Sequence, residues 1–309
     1  MSLHSLPRVL LREGALGGGA RSVGSICAIP SRSAAHLRGP LRLGTGSLLR
    51  VFDGASPEYV ARIAHESCSR ATLVSELLQL PPPPHTRKVI FAPPLDRARH
   101  AFLVEKAVEL GADAIIHVCF ERAEHMRRGA DRRGDDAADD PDLLPDVNER
   151  AFSSAASALC APAGQHQLRV RSSTVRAWAR DATQQSGRLR APMLGLSPVP
   201  ALADALRLFA EAKPPQLAPG PRLVLVCDER LVASRDRGIG DAIRAWRGET
   251  VSAEGGSVAV VVGPEGGLTD NERDIASASA LARSVYLAPA ILRSETAALT
   301  ALAQLNAIL

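Results

Sequence analysis

The stretch "VVVGPEGGLTDNE", from Val260 to Glu272, leads from an apolar strand through a glycine loop into a helix. Three valines end on the loop "GPEGG" at 263–267, and Thr269 with Glu272 has the spacing of a helix capping box. A second strand, "SVYLAP", and a final helix, "RSETAALTALAQLNAIL", follow. We therefore predict a strand–loop–helix–strand–loop–helix unit with both loops at carboxyl ends of parallel strands, where open α/β sheets bind ligands.

The composition of the glycine loop argues against a phosphate ligand. A P-loop needs a Gly-Lys pair, which is absent from the chain, and no G-x-G-x-x-G pattern follows a convincing strand. Glu265 would repel phosphate, whereas a ligand with hydroxyls, an amine or a positive centre suits such a loop. S-adenosylmethionine has all three features and lacks phosphate. The alternative interpretation is a tight turn with a capping carboxylate.

Composition limits the class of protein further. The chain has 309 residues, of which 46% are hydrophobic, so it can bury a sizeable core. Its apolar stretches all fall short of the roughly 20 residues that a membrane-spanning helix needs. The five cysteines are scattered without a C-x-x-C pair, and there is no H-E-x-x-H pattern. We therefore expect a protein of a reducing compartment that uses neither disulfides nor a metal.

The net charge of +4 is unevenly distributed. Residues 131–149 hold eight acids and two arginines, a local charge of −6, so the rest of the chain carries +10. The basic residues are nearly all arginine, whose guanidinium binds phosphate in a bidentate manner. This charge is compatible with a nucleic-acid partner, and equally with a soluble protein of arginine-biased composition.

The first 50 residues contain seven arginines and one acid, Glu13. Such a composition is typical of a transit peptide for the mitochondrion or another organelle. A basic first domain in a cytoplasmic protein is the alternative, because Pro7 to Leu11 already has the pattern of a strand.

Residues 1–84 are predicted to be mainly β structure. The segment "GSLLRVFDG" alternates and ends on Asp53-Gly54, which is a hairpin signal, and "EYVARIAHES" and "TLVSELLQL" follow as strands. The four prolines at 81–84 form a stiff segment and a natural domain boundary.

Residues 85–309 change to an α/β pattern. "KVIFAPP" and "AIIHVCF" are predicted strands that flank the helix "HAFLVEKAVELG", which Gly111 terminates. Further helices are predicted at Ser173 to Gln185 and in "ALADALRLFAEA", with a buried strand in "RLVLVCDE". The charged segment at 123–168 is predicted to be a disordered insertion.

Two paired motifs carry a resemblance to a known family. "VVVGPEGGLTDNE" followed by "VYLAPAILRSETAALTAL" resembles the signature of the bacterial small-subunit (16S) ribosomal RNA uridine N3-methyltransferase family, of the SPOUT class. "RHAFLVEKAVELGADAIIHVCFER" and "RAWARDATQQSGRLRAP" resemble other segments of that family, and "HLRGPLRLGTGSLLRVFDG" is similar to its N-terminal barrel. The resemblance implies a PUA-like RNA-binding β-barrel at 1–84, a SPOUT α/β trefoil-knot methyltransferase domain at 85–309, and a homodimer.

The resemblance also implies residue roles. Arg293 would hold a uracil carbonyl oxygen as charge develops, and Glu295 or Glu265 would accept the N3 proton. S-adenosylmethionine would lie against Gly263, Pro264, Glu265, Gly266, Leu287, Ala288, Ile291, Leu292 and Thr296. Ribosomal RNA, or the assembling small subunit, would be gripped through its phosphates by Arg8, Arg38, Arg42, Arg99, Lys106, Arg122 and Arg188. The competing interpretations are an ordinary loop arginine at 293, a helix N-terminal acid at 295 and helix capping at 296.

The chain departs from the family pattern beside the expected pocket. Ala288 and Ala290 stand where the family has glycine and arginine, and Arg99-His100-Ala101 replaces its K-M-E segment. Two functional hypotheses follow: an active uridine N3-methyltransferase, or a ribosome-assembly factor that keeps the fold and RNA binding with weak or lost catalysis. A SPOUT methyltransferase acting on another RNA is a third.

Overall fold

The computed structural model describes residues 5–17, 23–78, 86–123, 168, 170–212, 217–218, 220–233, 238–249 and 255–309. They divide into two compact units. The described residues up to 78, together with Arg180–Ala191, form the first unit, and the others form the second. The sequence interpretation placed 180–191 with the C-terminal domain. The prolines at 81–84 and nearly all of the predicted insertion lie outside the described residues.

The first unit is built on a five-stranded sheet with the order β1-β3-β4-β5-β2. Its elements are β1 (Arg8–Leu10), β2 (Ile26–Ala28), α1 (Ser31–Arg38), β3 (Leu48–Phe52), β4 (Glu58–Ile63) and β5 (Arg70–Leu78). β1 runs parallel to β3, and the remaining pairs are antiparallel. The hairpin predicted at Asp53-Gly54 is confirmed between β3 and β4, and Gly54 takes a φ of +79° there. Helix α1 was not predicted, because we interpreted this region as β structure throughout.

A buried ion cluster lies within the first unit. The Glu58 side chain is fully buried and accepts a hydrogen bond at 2.8 Å from Arg8 Nε. Its other oxygen accepts a hydrogen bond at 2.8 Å from Arg50 Nη2. The Arg8 guanidinium also lies 4.3 Å from the centroid of the Phe52 ring. Because both guanidiniums are buried, Glu58 is the acid that makes their burial tolerable.

The second unit contains a six-stranded sheet with the order β11-β9-β10-β6-β7-β8, in which all paired strands are parallel. Its strands are β6 (Thr86–Ala92), β7 (Ala114–Val118), β8 (Met193–Val199), β9 (Arg222–Cys227), β10 (Gly256–Val262) and β11 (Ala282–Val285). Its helices are α2 (Arg97–Glu109), α3 (Ser172–Gln185, with its last six residues in the first unit), α4 (Leu202–Glu211), α5 (Ile239–Glu249), α6 (Asp270–Ala278) and α7 (Ser294–Ile308). The predicted α/β class with a parallel sheet is confirmed.

Capping residues and glycines that are visible in the sequence mark the ends of several of these helices. The capping box is present at α6, where Thr269 accepts from the Glu272 amide and Glu272 accepts from the Thr269 amide. Gly111 takes a φ of +83° directly after α2, as its predicted role as a stop requires. Helix α2 begins earlier than predicted, because the Asp96 side chain caps the amides of Ala98 and Arg99. Strand β8 and helix α5 were not predicted.

Two buried histidines pack against each other in the second unit. The rings of His100 on α2 and His117 on β7 lie with centroids 4.6 Å apart, and Trp178 borders His100. His117 Nδ1 is 3.0 Å from the Gly195 carbonyl, whereas neither His100 nitrogen has a hydrogen-bond partner among the described residues. Burial lowers the pKa of His117 to about 4 and lowers that of His100 well below its usual range. Both rings are therefore neutral in the folded protein at neutral pH.

This pair predicts a pH dependence of stability. Between pH 6.5 and about 4 the unfolded chain takes up protons that the folded chain does not, so the free energy of unfolding should decrease as the pH falls. The His117 contribution amounts to about 3 kcal/mol across that interval, at about 1.4 kcal/mol per pKa unit. Urea unfolding of the second unit, followed by fluorescence of Trp178 and Trp246, measures it. His117→Asn should flatten the pH dependence of the free energy of unfolding, whereas His36→Asn, at an exposed site, should not. An unchanged pH dependence in His117→Asn would contradict the prediction.

Candidate functional site

A cavity of about 200 Å³ opens at the carboxyl edge of the parallel sheet. Cys227, Val262 and Val285 end β9, β10 and β11, and the strand register places these three residues side by side. The loops that follow complete the walls. The lining residues are Cys227, Asp228, Glu229, Val262, Gly263, Pro264, Glu265, Gly266, Gly267, Val285, Tyr286, Leu287, Ala288, Ala290, Ile291, Leu292, Ser294 and Ala297.

The glycine loop packs closely on its neighbours. Ser294 Oγ donates a hydrogen bond to the Gly263 carbonyl at 2.7 Å, which ties the loop to the start of α7. Gly267 takes a φ of +69°, and a Cβ at this position would collide with the Glu229 carboxylate. The backbone conformation is the reason that glycine is favoured at 267, since the Glu229 carboxylate is the far end of a side chain that can move aside.

The charged side chains that line the cavity are all acidic among the residues that the structure describes: Asp228, Glu229 and Glu265. Arg273 holds the first two from outside the cavity. Its Nε donates to Asp228 Oδ2 at 3.0 Å, and its Nη2 donates to Glu229 Oε1 at 2.7 Å. An acidic lining of this kind favours hydroxyl groups and positive charge over phosphate.

Glu265 is held in turn by an arginine of α2. Arg99 Nη1 donates to Glu265 Oε1, while Arg99 Nε and Nη2 both donate to Glu295 Oε2, at 3.0 and 2.8 Å. The hydrogen bond to Glu295 raises the pKa of Arg99, so the guanidinium stays charged. One planar side chain thereby joins the glycine loop to the first turn of α7.

The residues predicted to bind the cofactor meet around this cavity, with one exception. All the predicted positions in 263–266, and likewise Leu287, Ala288, Ile291 and Leu292, line it. Thr296 is exposed and is not among the lining residues. The helix geometry explains this difference, because Thr296 follows Ser294 by two residues and so projects from another side of α7.

The three predicted catalytic side chains differ in their surroundings. Arg293, at the N-cap of α7, is exposed, and its guanidinium makes no hydrogen bond or ion pair with any described residue. Glu265 lines the cavity with 51% of its side chain exposed. Glu295 is 8% exposed and lies outside the lining, bound to Arg99. Cys227 also lines the cavity, but burial raises the pKa of its thiol to about 12, which excludes a thiolate nucleophile at neutral pH.

Two of the predicted RNA-binding residues have other roles. The Arg8 side chain is 8% exposed and donates to Glu58 and to the carbonyls of Thr183, Gln184 and Arg188. Arg99 is 18% exposed and uses all its guanidinium nitrogens on two carboxylates. Neither guanidinium is available for phosphate, so both assignments are corrected to structural ones.

The other predicted RNA contacts have more accessible side chains. Arg38 and Arg42 are exposed on the first unit, and Arg188 of that unit is half-buried. On the second unit, Lys106 pairs with Glu109 at 2.8 Å and Arg122 donates to the Gly266 carbonyl at 3.1 Å. Arg122 thus lies directly beside the glycine loop.

Sequence reasoning missed two acidic lining residues, Asp228 and Glu229. Both follow the buried strand in "RLVLVCDE", and acids directly after a buried parallel strand are a usable signal, since such strands end at the ligand-binding edge. Tyr286 was missed as well, although it lies in the quoted strand "SVYLAP".

The described part of the chain contains no cluster of three or more His, Cys, Asp or Glu side chains that could hold a metal ion. None of its helices has the length and apolar character that crossing a membrane requires.

The fold and the cavity define an α/β ligand-binding protein whose site is built from two loops at the carboxyl edge of a parallel sheet. Its structure is similar to that of ribosomal RNA small subunit methyltransferase E from Neisseria gonorrhoeae bound to S-adenosyl methionine, with a TM-score of 0.62 and 23% identity over 98% of this chain and 97% of that one. A probable rRNA-methyltransferase from Porphyromonas gingivalis gives a TM-score of 0.60 and 20% identity, with 98% of each chain covered. These likenesses establish the shared fold.

The sequence comparisons add the family. A segment of 55 residues is 40% identical to ribosomal RNA small subunit methyltransferase E of Rickettsia conorii; it spans 18% of this chain and 22% of that relative. The family model of the RNA methyltransferase domain matches residues 152–306. The chain therefore belongs to the RNA methyltransferase domain family.

Proposed function

We propose that this protein transfers the methyl group of S-adenosylmethionine to N3 of a uridine in small-subunit ribosomal RNA. The observation that carries the proposal is the cavity between the loops at 263–267 and 285–294, which brings together the two sequence motifs that resemble the uridine N3-methyltransferase family. Membership of the RNA methyltransferase domain family supports the reaction class.

The residues present fit S-adenosylmethionine. The charged side chains that the structure describes in the lining are three carboxylates, and they match a cofactor with an ammonium, a sulfonium and ribose hydroxyls, and no phosphate. Leu287, Ile291 and Leu292 supply apolar surface for an adenine, while the glycines leave backbone groups accessible. When bound, the cofactor supplies a methyl group that its sulfonium makes electrophilic.

The side chains around the cavity provide the remaining chemistry. N3 of uridine carries a proton between two carbonyl groups, so methylation requires a proton acceptor and stabilisation of the developing oxyanion. Arg293 is the stabilising group we propose, because it is exposed and its guanidinium is unengaged within the described residues. Glu265 is the proposed proton acceptor, directly or through water, in preference to Glu295, because Glu265 lines the cavity.

The position of N3 determines the state of the RNA that can react. N3 lies on the Watson–Crick edge, so the uridine must be unpaired or flipped out. Accessible basic side chains are suited to hold the RNA backbone while this occurs, and Arg38, Arg42, Lys106, Arg122 and Arg188 remain our candidates.

Nucleoside mass spectrometry tests the reaction directly. Small-subunit ribosomal RNA from cells with and without the protein is digested, and 3-methyluridine is quantified. We expect the modified nucleoside to disappear with the protein and to return with the wild-type gene. Unchanged 3-methyluridine, with the protein bound to small-subunit precursors, would reject the enzyme and favour the assembly factor.

We propose further that the protein is a homodimer. Three leucines of the final helix α7 are candidates for the contact: Leu302 is buried within its own unit, Leu299 is half-buried and Leu309 is 38% exposed. Substitution of Leu309 therefore tests association, whereas substitution of Leu302 would test folding. Light scattering should give a dimer at micromolar concentration that Leu309→Asp weakens; a monomer would exclude the proposal.

We also propose that the protein acts in the mitochondrion or another organelle, based on the arginine-rich, acid-poor composition of its first 50 residues. Imaging of the full chain with a C-terminal fluorescent tag should show organelle localisation. A diffuse cytoplasmic signal would reject it.

A further inference from the structure

Charged side chains beside the cavity form a connected cluster around Arg99. Glu265 and Glu295 both bind the Arg99 guanidinium, and Asp96 Oδ2 lies 3.8 Å from Arg99 Nη1. Arg99 thus joins three carboxylates among the described residues. Of these groups, Glu265 alone is in contact with the cavity.

Among the residues that line the cavity, Arg99 is hydrogen-bonded to Glu265. It is not a lining residue, and its guanidinium is 18% exposed. Its anchor is rigid, because the residue lies in the first turn of α2, where Asp96 caps its backbone amide at 3.1 Å, and because two of its nitrogens bind the buried Glu295. The remaining nitrogen fixes the orientation of a carboxylate that is otherwise half-exposed on a loop.

We propose that Arg99 is a positioning residue that holds the Glu265 carboxylate at the cavity, and that this held carboxylate makes the site prefer a cationic cofactor to its neutral product. The inference rests on the proposed function. S-adenosylmethionine carries a sulfonium, which methyl transfer converts into the neutral thioether of S-adenosylhomocysteine. A fixed carboxylate stabilises the first ligand more than the second, so the product is released more readily than the substrate.

Arg99→Lys separates geometry from charge. Lysine keeps the positive charge, but its ammonium is a single point that cannot span two carboxylates as the planar guanidinium does. Calorimetry on the full-length protein with each ligand gives the preference as the ratio of the two dissociation constants. We expect Arg99→Lys to raise the dissociation constant of S-adenosylmethionine about tenfold, equivalent to about 1.4 kcal/mol of binding free energy. The dissociation constant of S-adenosylhomocysteine should change less than about twofold.

Glu265→Gln supplies the second arm of the test. Because Glu265 is half-exposed, its substitution spares the packed core, and it should reduce the preference as much as Arg99→Lys does. Arg99→Lys should then have no further effect on the preference in the Glu265→Gln background, since the group it positions has lost its charge. Arg207→Lys is the matched control, because Arg207 makes a similar 2.7 Å ion pair with Asp204 on the exposed side of α4.

The outcomes distinguish a failure of the positioning role from a failure of the proposed cofactor. If Arg99→Lys weakens the binding of both ligands equally, or leaves the ratio of their dissociation constants unchanged, the positioning role is overturned and the methyltransferase proposal stays intact. Failure of the parent protein to bind either ligand overturns the proposed cofactor and this inference with it. A lost preference in both single variants, with no additional loss in the double variant, supports the inference.

Discussion

Arg293→Ala should lower methyl transfer to ribosomal RNA about 10²–10³-fold, the loss typical of removing one donor that stabilises a developing oxyanion. Arg293 is exposed at the N-cap of α7 beside the cavity, and its guanidinium makes no hydrogen bond or ion pair within the described part of the chain. Its removal should therefore leave the fold unaffected. Single-turnover transfer of labelled methyl groups to small-subunit RNA measures the effect.

Cofactor binding provides the internal control for Arg293. Because the interaction is made in the transition state, the dissociation constant of S-adenosylmethionine should change much less than the rate. Ala290→Arg, which introduces a positive charge in the lining loop, should leave activity equal or raise it, and Arg207→Ala on α4 should have no effect. Equal rates for Arg293→Ala and the parent would remove Arg293 from the catalytic residues without affecting the family assignment.

Glu58→Gln should reduce the free energy of unfolding of the first unit by about 3–5 kcal/mol, as expected when one partner of a buried ion cluster is removed. The substitution leaves the Arg8 and Arg50 guanidiniums buried without their shared carboxylate. Urea titration, monitored by amide hydrogen exchange of residues in β3 and β4, measures the free energy of unfolding of this unit alone.

Arg32→Gln is the matched comparison for Glu58→Gln. Arg32 pairs with Asp181 at 3.4 Å, and both side chains are more than half exposed, so loss of this pair should cost less than about 1 kcal/mol. If Glu58→Gln and Arg32→Gln were equally mild, the buried cluster would not be a source of stability in this unit.

Local signals in the sequence were sufficient to predict much of the secondary structure of the second unit. The capping box at Thr269 and Glu272 and the stop at Gly111 each involve residues within one turn, so spacing alone reveals them. The glycine loop was predicted in the same way, from its position between an apolar strand and the capping box within one short stretch of sequence. Helix α1 was missed because its eight residues, "SRSAAHLR", contain only two that are buried, Ala34 and Leu37, too few for a clear periodicity.

Long-range pairing was not predictable from one sequence. Arg99 is 166 residues from Glu265 and 196 from Glu295, and Arg8 is 50 from Glu58. A charged residue is normally solvated, and the resemblance to the family implied phosphate binding for both arginines. Only the fold reveals that each guanidinium is enclosed by carboxylates or carbonyls from distant segments.

In the part of the chain that the structure describes, the first unit is made from two separated stretches, and this limits how it can be transplanted. Residues 180–191 supply the Thr183, Gln184 and Arg188 carbonyls that bind Arg8, and Leu189 packs on Leu10 and Phe52. A fusion protein that borrowed only the segment before the proline run would expose that apolar surface and leave Arg8 without its carbonyl acceptors. A transferable form of this unit would need both stretches, rejoined by a linker, which makes the unit a poor candidate for simple exchange between proteins.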